Sequence, residues 1–237
     1  MTQRKMQNIE KAMPKRSVPE KSGYHHGDLR QSLIDAALHL VETHGADACT
    51  LKEASKIAGV SVAAPYRHFP DKAALLMEVA SRGFRALRVV TVEARDQYPK
   101  GAIEGLIAMG EQYIQFAEDN PHLFRLMFNS EGEYSSEMIR QAKEMSAIEG
   151  DESRTGFDAF MHTVTNVIYA YGGSQEDLMD MAMPLWSCVH GAACLVINDS
   201  FERMAPGTDM DDMVDTATRF MFDGLKKRLA HRAESLH

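Results

Sequence analysis

Cysteine is scarce in this sequence of 237 residues, with only Cys49, Cys188 and Cys194. Three scattered thiols cannot build a disulfide framework, so they are expected to be reduced and largely buried, packing as small hydrophobes. No stretch approaches the ~18 to 20 uninterrupted apolar residues that a membrane-spanning helix needs. The first residues are polar and basic, unlike the apolar stretch of a signal peptide. The expected location is therefore the cytoplasm, with no membrane partner. Strand signals are missing as well: there is no sustained period-two alternation and no Asn-Gly or Asp-Gly turn between such runs. Nor is there a Gly-rich phosphate loop, a His-Glu-x-x-His or a Cys-x-x-Cys pair. We therefore expect no catalytic residue, no metal ligand set and no cofactor, and a helical enzyme is a reading with no motif behind it.

What the sequence does contain is apolar residues, at 44%, enough for a sizeable core, and a lopsided charge. The net charge of −8 argues against nucleic acid, but residues 1–90 carry 14 Lys/Arg against 9 Asp/Glu, while 91–237 carry 12 against 25. One end suits phosphates and the other does not.

Residues 1–22 read as a flexible basic arm, with Arg4, Lys5, Lys11, Lys15, Arg16 and Lys21 interrupted by Pro14 and Pro19. Asp28 with Gln31 is a capping-box pattern opening a helix that Gly45 ends. Thr50-x-x-Glu53 opens a second, which stops at Gly59. Ser61 caps a third, expected to run as a short helix until Pro70. Asp71 caps a fourth, running to about Tyr98. Further helices are expected at 102–119, from Pro121, at 135–148, at 153–171, from Ser174 to about Asn198, and over 210–231. Residues 129–134 read as a loop, and Gly150-Asp151-Glu152 as a turn. The expected fold class is all-α: a helix-turn-helix domain at 23–76, then a helical bundle at 77–237 for ligand sensing and dimerisation, the boundary falling inside the fourth helix.

A helix of about eight residues, a Gly59-Val60-Ser61 turn and a second short helix form the unit that sets a helix into the major groove of double-stranded DNA. Val62, Ala63 and Ala64 are small and apolar, able to meet thymine methyls but not to hydrogen-bond bases in pairs. Specificity would then lean on Arg67, water and DNA shape. Tyr66, His68 and Lys72 are donors suited to phosphate oxygens, and Thr50 begins a helix whose free N–H groups make a phosphate site. Tyr66 could instead be a core aromatic, and His68 a partner for helix-terminal carbonyls. Phe69 is expected in the core.

The stretch from Thr50 to Leu76, above all Tyr66-Arg67-His68-Phe69 followed by Asp71-Lys72, resembles the DNA-binding region of the TetR family. Tyr24-His25-His26-Gly27-Asp28-Leu29-Arg30 resembles the opening of one branch. Trp186-Ser187-Cys188-Val189-His190-Gly191 looks like the Trp…His-Gly signature of that branch's C-terminal domain. The resemblance implies an Ω-shaped homodimer on a palindromic operator, paired through the last two long helices. It also implies a repressor whose small-molecule effector swings the fourth helix. Pro65 departs from the Leu that many members carry before the Tyr.

Two apolar stripes in the C-terminal part exceed what one chain's core needs and fit a bundle interface. Leu185, Val189, Ala193, Phe220, Met221 and Leu225 are the candidate dimer contacts. Tyr113, Phe124, Met127, Phe128, Phe157, Met161, Trp186 and His190 are candidate walls of an apolar ligand pocket, although the same composition describes an ordinary core. The alternative is a metal- or thiol-redox-sensing regulator using Cys188, His190 and Cys194. On a helix, however, Cys188 lies ~160° round from His190.

Overall fold

The computed structural model describes residues 29–128 and 156–235. The basic arm, the Asp28 cap, the loop at 129–134, the helix expected at 135–148 and the turn at Gly150-Asp151-Glu152 lie outside the described residues. Those described form helices and no strands. In chain order these are α1 (Leu29–His44), α2 (Leu51–Ala58), α3 (Lys72–Arg95), α4 (Ile103–Asp119), α5 (Pro121–Phe128), α6 (Gly156–Ala170), α7 (Leu178–Ile197), α8 (Ser200–Met204) and α9 (Met210–Glu234). Tight 3-10 turns stand at Ala46–Ala48, Pro65–Arg67 and Gln175–Asp177.

The helix ends follow from local chemistry. Thr50 Oγ1 accepts the Glu53 N–H at 3.1 Å, and Gly59 closes α2 at φ 70°. Asp71 Oδ1 accepts the Ala74 N–H at 2.8 Å to start α3. Ser174 and Asp177 complete a capping box ahead of α7, and Asp209 caps α9 through the N–H groups of Asp211 and Asp212. Pro184 sits inside α7, where it donates no bond to the Asp180 carbonyl. The short helix α8, preceded by Asp199 at φ 52°, occupies a stretch with no sequence signal of its own.

The chain divides into two compact units, one comprising residues up to Ala86 with 120–148, the other Leu87–Asp119 with 149–237. In the first, α1 packs against α2 and α5. Leu33, Val41, Leu51, Ala54, Phe69, Leu75, Val79, Leu123 and Phe124 fill its core. Each large side chain removed from water there contributes ~1.5–3 kcal/mol. Two ion pairs, Arg30 with Glu78 and Arg82 with Asp35, tie α1 to α3. In the second unit α4 packs on α7, α6 and α9. Gly110 makes that approach possible, since a Cβ there would lie 2.9 Å from Val214 Cγ1 and 3.3 Å from Val189 Cγ2.

Candidate functional site

The segment that follows α2 differs from the short α-helix expected at 61–69. Pro65 has no N–H to return to Ser61, so the chain tightens instead. The Ala64 N–H reaches the Ser61 carbonyl at 3.0 Å, Arg67 reaches Ala64 at 3.2 Å, and His68 reaches Pro65 at 2.9 Å. Pro65 itself is buried, and so is Phe69. These two anchor the segment from beneath and turn the rest outward. Ser61, Val62, Ala63, Tyr66, Arg67 and His68 are exposed, and Ala64 is half-buried. Tyr66, left open between core and surface by its sequence spacing, is 60% exposed. Its hydroxyl is therefore available to a partner.

Lys72 is held rather than free. Its Nζ donates to the Asp47 carbonyl at 3.1 Å, linking the start of α3 to the turn before α2. An ammonium has three donors, so this bond leaves others for an anion. Lys52 is a candidate the sequence reading missed. It is exposed in the first turn of α2, where the helix dipole disfavours a cation, and that mismatch was a usable signal.

The eight residues expected around a ligand are divided between the two units. Phe124, Met127 and Phe128 belong to the first unit, where Phe128 packs on Phe84 (5.3 Å) and Phe124 (4.7 Å), and Met127 lies under Gly83. Buried Phe124 and Met127 are core side chains there. The other five lie in the second unit. Tyr113 Oη and His190 Nδ1 are 2.9 Å apart. Trp186 stacks on the His190 ring at 5.0 Å and 13°, and Phe157 meets Trp186 edge-on at 6.3 Å. Met161 follows Phe157 one turn along α6, half-buried. Burial pushes the Tyr113 hydroxyl far above its ordinary range, with the Trp186 indole N–H opposing as a smaller cause. Burial also lowers His190, favouring its neutral ring. Among the described residues, no three His, Cys, Asp or Glu side chains converge as metal ligands.

The candidate interface contacts differ in exposure. Leu185, Ala193 and Leu225 are buried in this chain's own core, because α4, α7 and α9 pack through those faces. Val189 and Met221 are half-buried, whereas Phe220 is 72% exposed. The outward stripe of α7 runs in steps of four through Met179, Met183, Ser187, Gly191 and Leu195. On α9 the outward positions include Thr216, Phe220 and Gly224.

An all-helical chain whose N-terminal unit carries a helix, a glycine turn and an outward-facing second segment belongs to the helix-turn-helix class. The profile described as "Bacterial regulatory proteins, tetR family" matches residues 33–79, and "Tetracyclin repressor-like, C-terminal domain" matches 106–221. Together they span more than half of the sequence, and the chain belongs to the TetR family. It is 31% identical over 117 residues to the nucleoid occlusion factor SlmA of Vibrio vulnificus, covering 47% of this chain and 57% of that protein. It is likewise 31% identical over 113 residues to the HTH-type transcriptional regulator BetI of Agrobacterium fabrum, covering 47% and 54%. The matched stretch thus spans little more than half the length of these relatives. The solved structure of a protein of unknown function from Rhodococcus sp. RHA1 superposes with a TM-score of 0.68 at 27% identity, over 86% of this chain and 98% of that one. The fatty acid degradation regulator FadR of Bacillus halodurans shares the fold, with a TM-score of 0.54 at 14% identity over 87% and 99%.

Proposed function

We propose that this chain is a cytoplasmic, homodimeric, DNA-binding transcriptional repressor that a small apolar or aromatic molecule releases from a palindromic operator. The observation that carries the DNA reading is the outward set Ser61, Val62, Ala63, Tyr66, Arg67 and His68 above a buried Pro65–Phe69 anchor. Tyr66, His68, Lys72 and the first turn of α2, with Thr50 and Lys52, clamp phosphates, while Val62, Ala63, Ala64 and Arg67 meet the groove. The test is fluorescence anisotropy with a palindromic duplex across a salt series. Tyr66→Ala and Lys52→Ala should weaken binding to all sequences alike, with Lys52→Ala lowering the salt slope by about 1. Binding equal to the parent at every salt concentration for both variants would remove this contact assignment.

The dimer reading rests on α7. It is long and apolar enough by composition to cross a membrane, yet only 28% of that apolar stretch is buried in the chain. Its Met179–Met183–Ser187–Gly191–Leu195 stripe offers small residues at which a second helix can approach closely, and Gly191 and Gly224 both face open space. A second copy supplies that cover, and two half-sites follow from the same symmetry. The effector reading rests on the Tyr113, Phe157, Trp186 and His190 cluster. A thermal-shift screen with planar aromatic compounds should raise the melting temperature of the parent. If Trp186→Ala retained that response, the cluster would not be the site.

A further inference from the structure

Three polar side chains from two helices of the second unit form a chain that ends on sulfur. Tyr113 on α4 holds His190 Nδ1 at 2.9 Å, and the opposite ring nitrogen, Nε2, lies 3.7 Å from Cys194 Sγ. Trp186, His190 and Cys194 stand at i, i+4 and i+8, so they share one stripe of α7. Trp186 covers the imidazole face, and Phe157, 41% exposed, closes the aromatic wall from α6. Cys194 is partly open to solvent, whereas Cys49 is buried, and Cys188 lies ~160° round the helix from His190. A thiol beside an imidazole, with that imidazole fixed by a third group, is the arrangement that activates a cysteine nucleophile.

We propose that Cys194 is a covalent acceptor for planar soft electrophiles, namely quinones and α,β-unsaturated carbonyl compounds, with His190 as its base. Tyr113 is the positioning residue: its 2.9 Å contact holds the ring, and in the tautomer whose Nδ1–H donates to Tyr113 Oη the Nε2 lone pair faces the thiol. Sγ adds to the β-carbon of the activated double bond as its proton passes to His190 Nε2. The π pair moves to the carbonyl oxygen. The imidazolium then returns the proton to the α-carbon, or to the quinone oxygen, leaving a thioether and a neutral ring. No oxidant or reductant enters. Burial raises the Cys194 thiol and lowers His190, so no thiolate stands ready and the proton moves to Nε2 only as the carbon–sulfur bond forms. Trp186, with Phe157 edge-on to it, continues the same stripe beyond the imidazole as an apolar aromatic surface, two helical turns from the sulfur.

This deepens the effector reading and rests on it for its regulatory meaning, but the chemistry is read without DNA. The full-length protein is treated with limiting methyl-p-benzoquinone, and adduct formation is followed at each cysteine by peptide mass mapping. Cys194 should react at least about tenfold faster than Cys188. His190→Gln should slow Cys194 by about a hundredfold or more, the low end of what a positioned base supplies, while leaving Cys188 unchanged as an internal reference. Tyr113→Phe, which keeps the ring and removes the hydroxyl, should slow Cys194 by roughly a smaller factor, about threefold. Equal rates at Cys188 and Cys194, or a Cys194 rate indifferent to both substitutions, would overturn the proposal. A modified protein that still binds the operator duplex would overturn the regulatory meaning and leave the thiol chemistry standing.

Discussion

Gly83 and Gly110 mark places where helices approach more closely than a side chain allows, but the two differ in what they face. A Cβ at Gly110 meets branched Val214 and Val189, which cannot swing aside, so Gly110→Ala should destabilise by about 1–3 kcal/mol. A Cβ at Gly83 meets the sulfur of Met127, an unbranched side chain that can re-route, and Leu123 behind it. Gly83→Ala should therefore cost less than Gly110→Ala, an order that denaturant melts of the two variants would establish or reverse. His190 offers a second residue-level measurement. Because burial lowers its basicity, its ring resonances should titrate below the ordinary value of 6.5. As a group depressed in the fold, it should weaken the protein only as pH falls below that ordinary value. Lys72 has a double role, since it joins the start of α3 to the Asp47 carbonyl. Lys72→Ala should lower both melting temperature and DNA affinity, whereas Tyr66→Ala should lower affinity alone.

At the scale of elements, the caps were the most legible feature of the sequence. Thr50, Gly59, Asp71 and the Ser174/Asp177 box each act locally, so spacing alone places them. What was not legible depends on neighbours. An apolar stripe announces a buried face without naming what buries it, and so Leu185, Ala193 and Leu225 read as interface residues although they serve the chain's own core. Nor does composition tell which neighbours Phe124, Met127 and Phe128 have within their own unit, where Phe128 packs on Phe84 and Met127 lies under Gly83. In the helix-turn-helix, periodicity over 61–69 could not express the one missing donor at Pro65 that tightens the segment. The C-terminal end of α9 makes a further element-scale prediction. Asp177, buried at the start of α7, accepts the Ser174 N–H at 3.0 Å and Arg232 Nη1 at 2.9 Å. The Ser174 bond foremost, with Arg232 and Arg228 assisting, holds its carboxyl below the usual range. Its contribution is full at neutral pH and is lost as pH falls through that lowered value. Asp177→Asn should cost ~1 kcal/mol at pH 7, in the range of a lost helix cap, and the gap from the parent should close in acid. A gap that stays constant with pH would remove the charge from this account.

For the whole molecule, the proposed dimer rests on the unburied stripe of α7 and on Phe220 of α9. Phe220→Glu or Gly191→Leu should move the protein from dimer to monomer in sedimentation at micromolar concentration, with little loss of helical signal. A parent that already sediments as a monomer would contradict the dimer outright. Operator affinity should fall when dimerisation is lost, because each half-site is then held alone.

The tightened segment at Pro65 has one more consequence, for the footprint on DNA. A 3-10 turn rises ~2.0 Å per residue and an α-helix ~1.5 Å, so three residues advance about 1.5 Å further along the groove. That is nearly half of the ~3.4 Å between successive base pairs. Arg67 and His68 therefore fall out of step with the same residues on a regular helix. Pro65→Leu, which permits the regular helix, should change which base substitutions the protein tolerates more than it changes overall affinity.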